Sequence, residues 1–424
     1  MENLSVRDLF LPLRRPEYPA SPEIFLTSLA WRAYGFTEVG KDSRLRYMPQ
    51  QKTSHGSSRS QRTTYTFDAL SEVSSGFASS LASKGFSTDS LGGQAIASRD
   101  LVDAVLFGVS GSSSVHSDYT AASPMTPSLA MLQTVIGMKG TDSNFAGILD
   151  DIASLGGFET DLSASWAEAN LRLMEANPHL EAIDSAVAES IGYGQRVKVP
   201  EQGRSTVWKV LGEYPDQARR TPFSWFARSW SNLTSESWVE ALPPRLWTDW
   251  ANAILRTGFG MTFLWEAAWY HGLAKLVQEP EFDSGSIGNL LNPELVPWLS
   301  SDVAISLRGV RGTLEKQVRT GSEISKVLRN YAESNDLWDE NLADFHQTIR
   351  KDRDFLAKLE RARRQPTKSH KSTSEAIFYS LNTRKEDGLG SDHYGLLRLQ
   401  SRRFLVPSPG TEWIAAITSL ISDS

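Results

Sequence analysis

The sequence predicts a mainly α, multi-domain protein with an antiparallel helical hairpin and a small α+β, winged-helix-like module at its C-terminus. Three observations carry that prediction. The chain has 424 residues, 40% of them hydrophobic and 22% charged, too long for one compact core of ordinary size and too apolar for wholesale disorder. Apolar residues recur at steps of three and four over long windows, the rhythm of one helix face. Strand signals are confined to two short stretches, the alternation near 196–211 and the paired apolar runs within 396–406.

The elements follow in chain order. Ser21-Pro22 reads as a cap and first-turn proline for a short helix over 26–34. Residues 41–64 are polar, basic and Ser-rich, and read as a loop. Phe67, Leu70, Val73, Phe77 and Leu81 are spaced as one helix face. A second Ser-rich connection spans 110–128. Helices are expected at 129–138, 144–155, 162–176 and 178–191, with Asp161 as the N-cap of the third. The stretch from Arg196 to Leu211 suggests a small strand pair. Residues 205–300 hold nine of the thirteen tryptophans. The pairs Trp247/Trp250 and Trp265/Trp269 have the spacing of one helix face and are expected in the core.

The clearest pattern runs from Leu307 to Leu359. Leu307, Val310, Leu314, Gln317, Gly321, Ile324, Leu328 and Tyr331 alternate steps of three and four. After Ser334-Asn335-Asp336 the rhythm resumes through Trp338, Leu342, Phe345, Ile349, Asp352, Leu356 and Leu359. Two such arms joined by a polar turn read as an antiparallel hairpin packed against the body, since Gln317, Gly321 and Asp352 interrupt the seam. Beyond it come a short helix at 374–381, apolar runs at 396–399 and 403–406, and an amphipathic helix at 413–421. The resulting division is an N-terminal helical region at 1–110, an acidic Trp-rich body at 129–300, the hairpin at 304–364 and the C-terminal module at 373–424.

Composition excludes several chemistries. The chain has no cysteine, which removes disulfides, thiolate metal sites and a cysteine nucleophile. The N-terminus shows no basic start followed by an apolar run, so no signal peptide is evident. The most apolar stretch, 257–274, holds Glu266 and His271, whereas a bilayer span needs about 20 predominantly apolar residues. A cytoplasmic protein without membrane contact is expected.

Charge is unevenly placed. Residues 1–62 carry net +4, residues 63–344 net −15 and residues 345–424 net +5. The candidate contact region is the basic set Arg350, Lys351, Arg353, Lys358, Arg361, Arg363, Arg364, Lys368 and Lys371, extended by Arg398, Arg402 and Arg403. Such a set suits phosphates or an acidic partner. The plainer account is a helix that starts on Asp336, Asp339, Glu340 and Asp344 and ends on arginines, as its dipole favours. That account leaves Arg398, Arg402 and Arg403 unexplained. The chain's own acidic middle is a third possible counterpart.

The remaining constellations are weaker. Glu340 and Asp344, with His346 nearby, could share a hard cation, but no second segment supplies ligands. Ser110, His116 and Asp118 invite a hydrolase reading, yet the G-x-S-x-G elbow is absent. No phosphate-loop glycine pattern occurs, and the seven histidines form no H-x-x-x-H pair. Glu266 lies in an apolar segment and must be paired if buried. His271 is the partner within reach along the helix; Arg256 is farther.

No catalytic residue, cofactor or metal site is expected. The function expected is a non-enzymatic subunit or adaptor of an intracellular protein assembly, its basic C-terminal region contacting nucleic acid or an acidic partner. Two alternatives stand beside it. One is a metal-dependent hydrolase or nuclease built from Asp150, Asp151, Glu159 and Asp161. The other is a structural scaffold with no nucleic-acid contact.

Overall fold

The computed structural model describes residues 4–16, 24–34, 83, 125–130, 143–190, 206–282, 284–291, 310–364, 371–382, 395–400, 404–407 and 410–422. Among these the protein is mainly helical. The longest helices are α1 (Ile24–Tyr34), α2 (Ser143–Leu155), α3 (Leu162–Ala176), α4 (Pro178–Ser190), α5 (Pro222–Leu233), α6 (Glu236–Ala241), α7 (Pro244–Leu276) and α8 (Ser284–Leu290). They continue with α9 (Val310–Ser334), α10 (Leu342–Lys351), α11 (Arg353–Arg364), α12 (Lys371–Leu381) and α13 (Thr411–Ser422). Strands β1 (Leu397–Gln400) and β2 (Phe404–Pro407) form a two-stranded antiparallel ribbon, with Leu397 opposite Pro407 and Gln400 opposite Phe404. No described helix is long and apolar enough to cross a membrane.

Helix α7 is the axis of the body. Pro244 occupies its first turn, where a missing N–H costs nothing. Its 33 residues rise about 50 Å at 1.5 Å each. The helix is buried nearly all round: α5, α9 and α12 pack along it, with α1, α2 and α13 also against it. The tryptophans sit where their spacing predicts. Trp247, Trp265 and Trp269 are fully buried, Trp250 nearly so. The buried apolar side chains form one contiguous core from Leu4 to Ile417. The C-terminal piece joins it: Arg256 of α7 donates to the carbonyls of Ser380 and Asn382, and the Trp413 indole donates to Thr257 Oγ1.

Helix ends follow local chemistry. The Asp161 side chain accepts from the backbone N–H groups of Ser163 and Ala164, capping α3 as its position predicts. Helix α9 ends in a Schellman motif: the N–H of Leu337 reaches the carbonyl of Ala332, and that of Asp336 reaches Glu333. Asp336 accordingly has φ 55°, in the left-handed region.

Two expected elements are different. The stretch 206–211 was expected as part of a strand pair; Lys209–Glu213 is a short helix instead, and 191–205 lie outside the described residues. Trp208 is drawn inward, its ring 4.9 Å from that of Trp269, and the chain coils behind it. The expected second arm of the hairpin is not one continuous helix. Asp352 leaves helical geometry at φ −93°, ψ 90° and its carboxylate caps a new helix by accepting from the N–H of Phe355. The arm is therefore split into α10 and α11, and α11 lies along α9, where Tyr331 and Phe355 are 3.9 Å apart between ring centroids.

Gly321, out of place in a heptad seam, marks a close approach of α9 to α7. A Cβ there would lie 2.7 Å from Ala267 Cα and 2.9 Å from its carbonyl oxygen. Gly321→Ala should therefore lower stability by about 1–3 kcal/mol despite alanine's better helix propensity, because backbone cannot yield as a side chain can. Urea unfolding checks this; a stabilised variant would show that the two helices sit farther apart.

Candidate functional site

The basic set is best followed residue by residue. Arg350 and Lys351 end α10, where cations face the negative end of the helix dipole. Arg353, Lys358, Arg361, Arg363 and Arg364 belong to α11. Phe355, Leu359 and Ala362 bury one face of that helix, so Arg353, Lys358, Arg361 and Arg364 are left on the exposed one. From 353 to 364 the axial rise is about 17 Å.

Three of these side chains have local partners. Glu360 takes Arg363 at 2.8 Å and Arg364 at 2.7 Å, and the bond from Arg364 is the main reason its carboxyl is held below the usual range. Arg350 donates to the Pro280 carbonyl at 3.0 Å. Lys351, Arg353, Lys358 and Arg361 are exposed, and among the described residues no carboxylate lies within ion-pair distance of them. Arg398 is exposed on β1 and has an interaction of its own. Lys371 opens α12. Lys368, Arg402 and Arg403 lie outside the described residues.

The acidic set of the hydrolase alternative is differently arranged. Asp150 and Asp151 are buried in the middle of α2, and Glu159 is exposed. Arg32 of α1 contacts both Asp150 and Asp161, the latter at 2.5 Å. Asp150 Oδ1 also accepts from the Leu162 N–H at 2.9 Å. Asp151 takes Arg14 at 3.1 Å and the Thr206 hydroxyl at 2.8 Å. The three carboxylates thus clamp α1, α2, α3 and the N-terminal segment together through guanidinium groups.

One guanidinium serves two carboxylates at Arg32, so Asp150 is under-compensated. Burial outweighs Arg32 and pushes the Asp150 carboxyl up to about 7, with neighbouring Asp161 adding to the rise. A carboxyl whose native pKa exceeds its unfolded value holds its proton better when folded, so its contribution to stability falls as pH rises through that window. Asp150→Asn should therefore gain on the wild type as pH rises from about 4 to about 7, between the unfolded and folded pKa values of the carboxyl. Thermal unfolding of both proteins across that range reads the difference. A gap constant with pH would mean that the carboxyl is not shifted.

The other sequence candidates disperse. Asp336, Asp339, Glu340 and Asp344 are exposed; Asp339 meets Arg7 and Asp344 meets Asn341. His346 is buried, bonded to the Glu279 carbonyl and stacked on Phe282, with burial lowering its pKa. Ser110, His116 and Asp118 lie outside the described residues. Glu266 is buried and paired, but with neither expected partner. Arg15 Nη1 reaches it at 2.6 Å from 251 positions away, His271 meets the Gln317 carbonyl, and Arg256 holds the end of α12.

The N-terminal segment is what the sequence reading missed. Residues 4–16 run across α7 and pair with 338–341, the N–H of Val6 reaching the Glu340 carbonyl and that of Arg7 the Trp338 carbonyl. The signal was present in Ser5-Val-Arg-Asp8, a capping box that starts a 3₁₀ turn over Val6–Leu9. No protein-family model, curated protein or solved structure matches this chain.

Proposed function

We propose that the chain is a non-enzymatic adaptor subunit of an intracellular protein assembly, with the exposed face of α11 as its contact with nucleic acid. The observation that supports this reading is the row Arg353, Lys358, Arg361 and Arg364, joined by Lys351 at the end of α10, exposed along one side of a short helix. Guanidinium groups favour phosphate oxygens because their planar fork donates two bonds at once. The exposed face of α11 offers no aromatic ring for stacking on bases, so the contact expected is with the backbone and is indifferent to sequence. In this reading α9 with α10–α11 is the helical hairpin that presents the face. The pieces α12, β1–β2 and α13 form a winged-helix-like module, whose Lys371 and Arg398 belong to the same region with Lys368, Arg402 and Arg403.

Charge reversal tests it. The variant Lys351→Glu, Arg353→Glu, Lys358→Glu, Arg361→Glu should lose affinity for a 20-base-pair duplex by roughly a hundredfold or more at low salt, with its fold intact. The wild-type slope of log affinity against log salt should be about −3 to −4 for four neutralised phosphates, and should flatten in the variant. Fluorescence anisotropy measures both. A wild-type protein that fails to bind the duplex at 50 mM salt removes nucleic acid from the proposal.

A further inference from the structure

The N-terminal segment lies in a groove built as a peptide receptor is built. Its 3₁₀ turn ends with carbonyls that have no partner within the turn. The body supplies donors for them: the Trp208 indole bonds to the Asp8 carbonyl at 2.6 Å and the Trp269 indole to the Leu9 carbonyl at 2.9 Å. Further on, the Tyr270 hydroxyl accepts from the Leu11 N–H at 3.2 Å. At the near end the backbone pairs with 338–341. Main-chain bonds of this kind give affinity, and side-chain pockets give specificity.

The pockets are also present. Val6, Leu9, Phe10 and Leu11 are buried. The Phe10 ring lies 5.1 Å from Trp338 and 6.3 Å from Tyr270, with the Arg329 guanidinium 4.8 Å from its centre. Arg14 and Arg15 close the far end on Asp151 and Glu266. Each of these body partners is more than a hundred residues away in the chain. None of the contacts needs the segment to be joined to the body that it fills. The segment also brings its own order, since Asp8 caps Ser5 through both the backbone N–H and the hydroxyl, which lowers the cost of ordering it on docking.

We infer that the groove is a binding site for an extended peptide of this pattern and that its occupant in trans is the N-terminal segment of a second copy of the chain. The exchanged and closed forms make the same contacts. Their difference is confined to the connecting residues and the entropy of association, which makes exchange a low-cost route to a dimer.

The experiment uses the full chain with a protease site inserted between residues 17 and 22. Concentrated protein is warmed to just below its melting temperature, cooled and sized by light scattering. A dimer is expected, and cleavage at the inserted site should dissolve it to monomer-sized particles, each carrying a bound segment. A dimer that survives cleavage is held by another face and overturns the inference, as does a chain that stays monomeric at every concentration. If the insertion prevents folding, the unmodified chain is warmed with excess synthetic peptide of residues 4–16. Loss of the dimer then supports exchange. A dimer fraction indifferent to the peptide, or no dimer without it, overturns it. These outcomes involve no nucleic acid and do not depend on the adaptor reading.

Discussion

Replacing Trp269 with alanine should cost about 3–5 kcal/mol, the usual range for removing a large aromatic from a core. The indole is fully buried, stacked on Trp265 at 5.8 Å and met edge-on by Trp208 at 4.9 Å. Its loss leaves a void between three segments, because Trp208 also contacts Trp265 and Trp265 is met by Phe223. It also strips the Leu9 carbonyl of its donor. A buried acceptor left without a partner adds about 1–3 kcal/mol that a purely apolar deletion would not incur. Trp269→Phe helps to apportion the two terms: it keeps an aromatic ring in the core and removes the N–H together with the smaller part of the indole. It should fall well short of the alanine loss. Urea unfolding of both variants decides the matter. A Trp269→Ala loss under about 1 kcal/mol would mean that this aromatic cluster does not hold the body together.

That cluster was legible because it is local. Tryptophans three and four apart on one helix share a face whatever surrounds them, and a face of large aromatics has to be buried. The helical rhythm of 310–359 was legible for the same reason, as far as the rhythm went. What decides whether a helix continues through Asp352 is whether its carboxylate caps the next N–H. Periodicity places Asp352 in the seam and is silent about the cap. The short run at 206–211 alternates well enough for a strand, yet runs this short have no periodicity that separates strand from helix. Burial of Trp208 against α7 settled it. Charge behaved similarly. Spacing gives the shared face of Arg353, Lys358, Arg361 and Arg364, but it could not foresee that Arg350 would bind the Pro280 carbonyl or that one glutamate would take two arginines. The contacts of the N-terminal segment were the least legible. They join residues 4–16 to side chains more than a hundred positions away, and a search along one helix for the partner of Glu266 could return only helix neighbours.

The Glu266 pair carries the second large effect. Glu266 is buried in α7 and Arg15 is 43% exposed by side chain, so the cation comes from the rim and the anion sits inside. The carboxylate also raises the Arg15 pKa above its already high value, mainly through charge, so the guanidinium stays protonated. Removing Arg15 strands a buried negative charge. Breaking a fully buried pair from one side costs about 3–5 kcal/mol, and solvent at the Arg15 end reduces that to about 2–3 kcal/mol here. Glu266→Gln keeps the shape and an acceptor while deleting the charge, and should cost about 1 kcal/mol. Combining the two removes the stranded charge, so Arg15→Ala with Glu266→Gln should be more stable than Arg15→Ala alone. That inequality is the strict test, because a pair valued only for its contacts would give the opposite order. If the double variant is the less stable one by urea unfolding, Arg15 holds the N-terminal segment by packing rather than by neutralising α7.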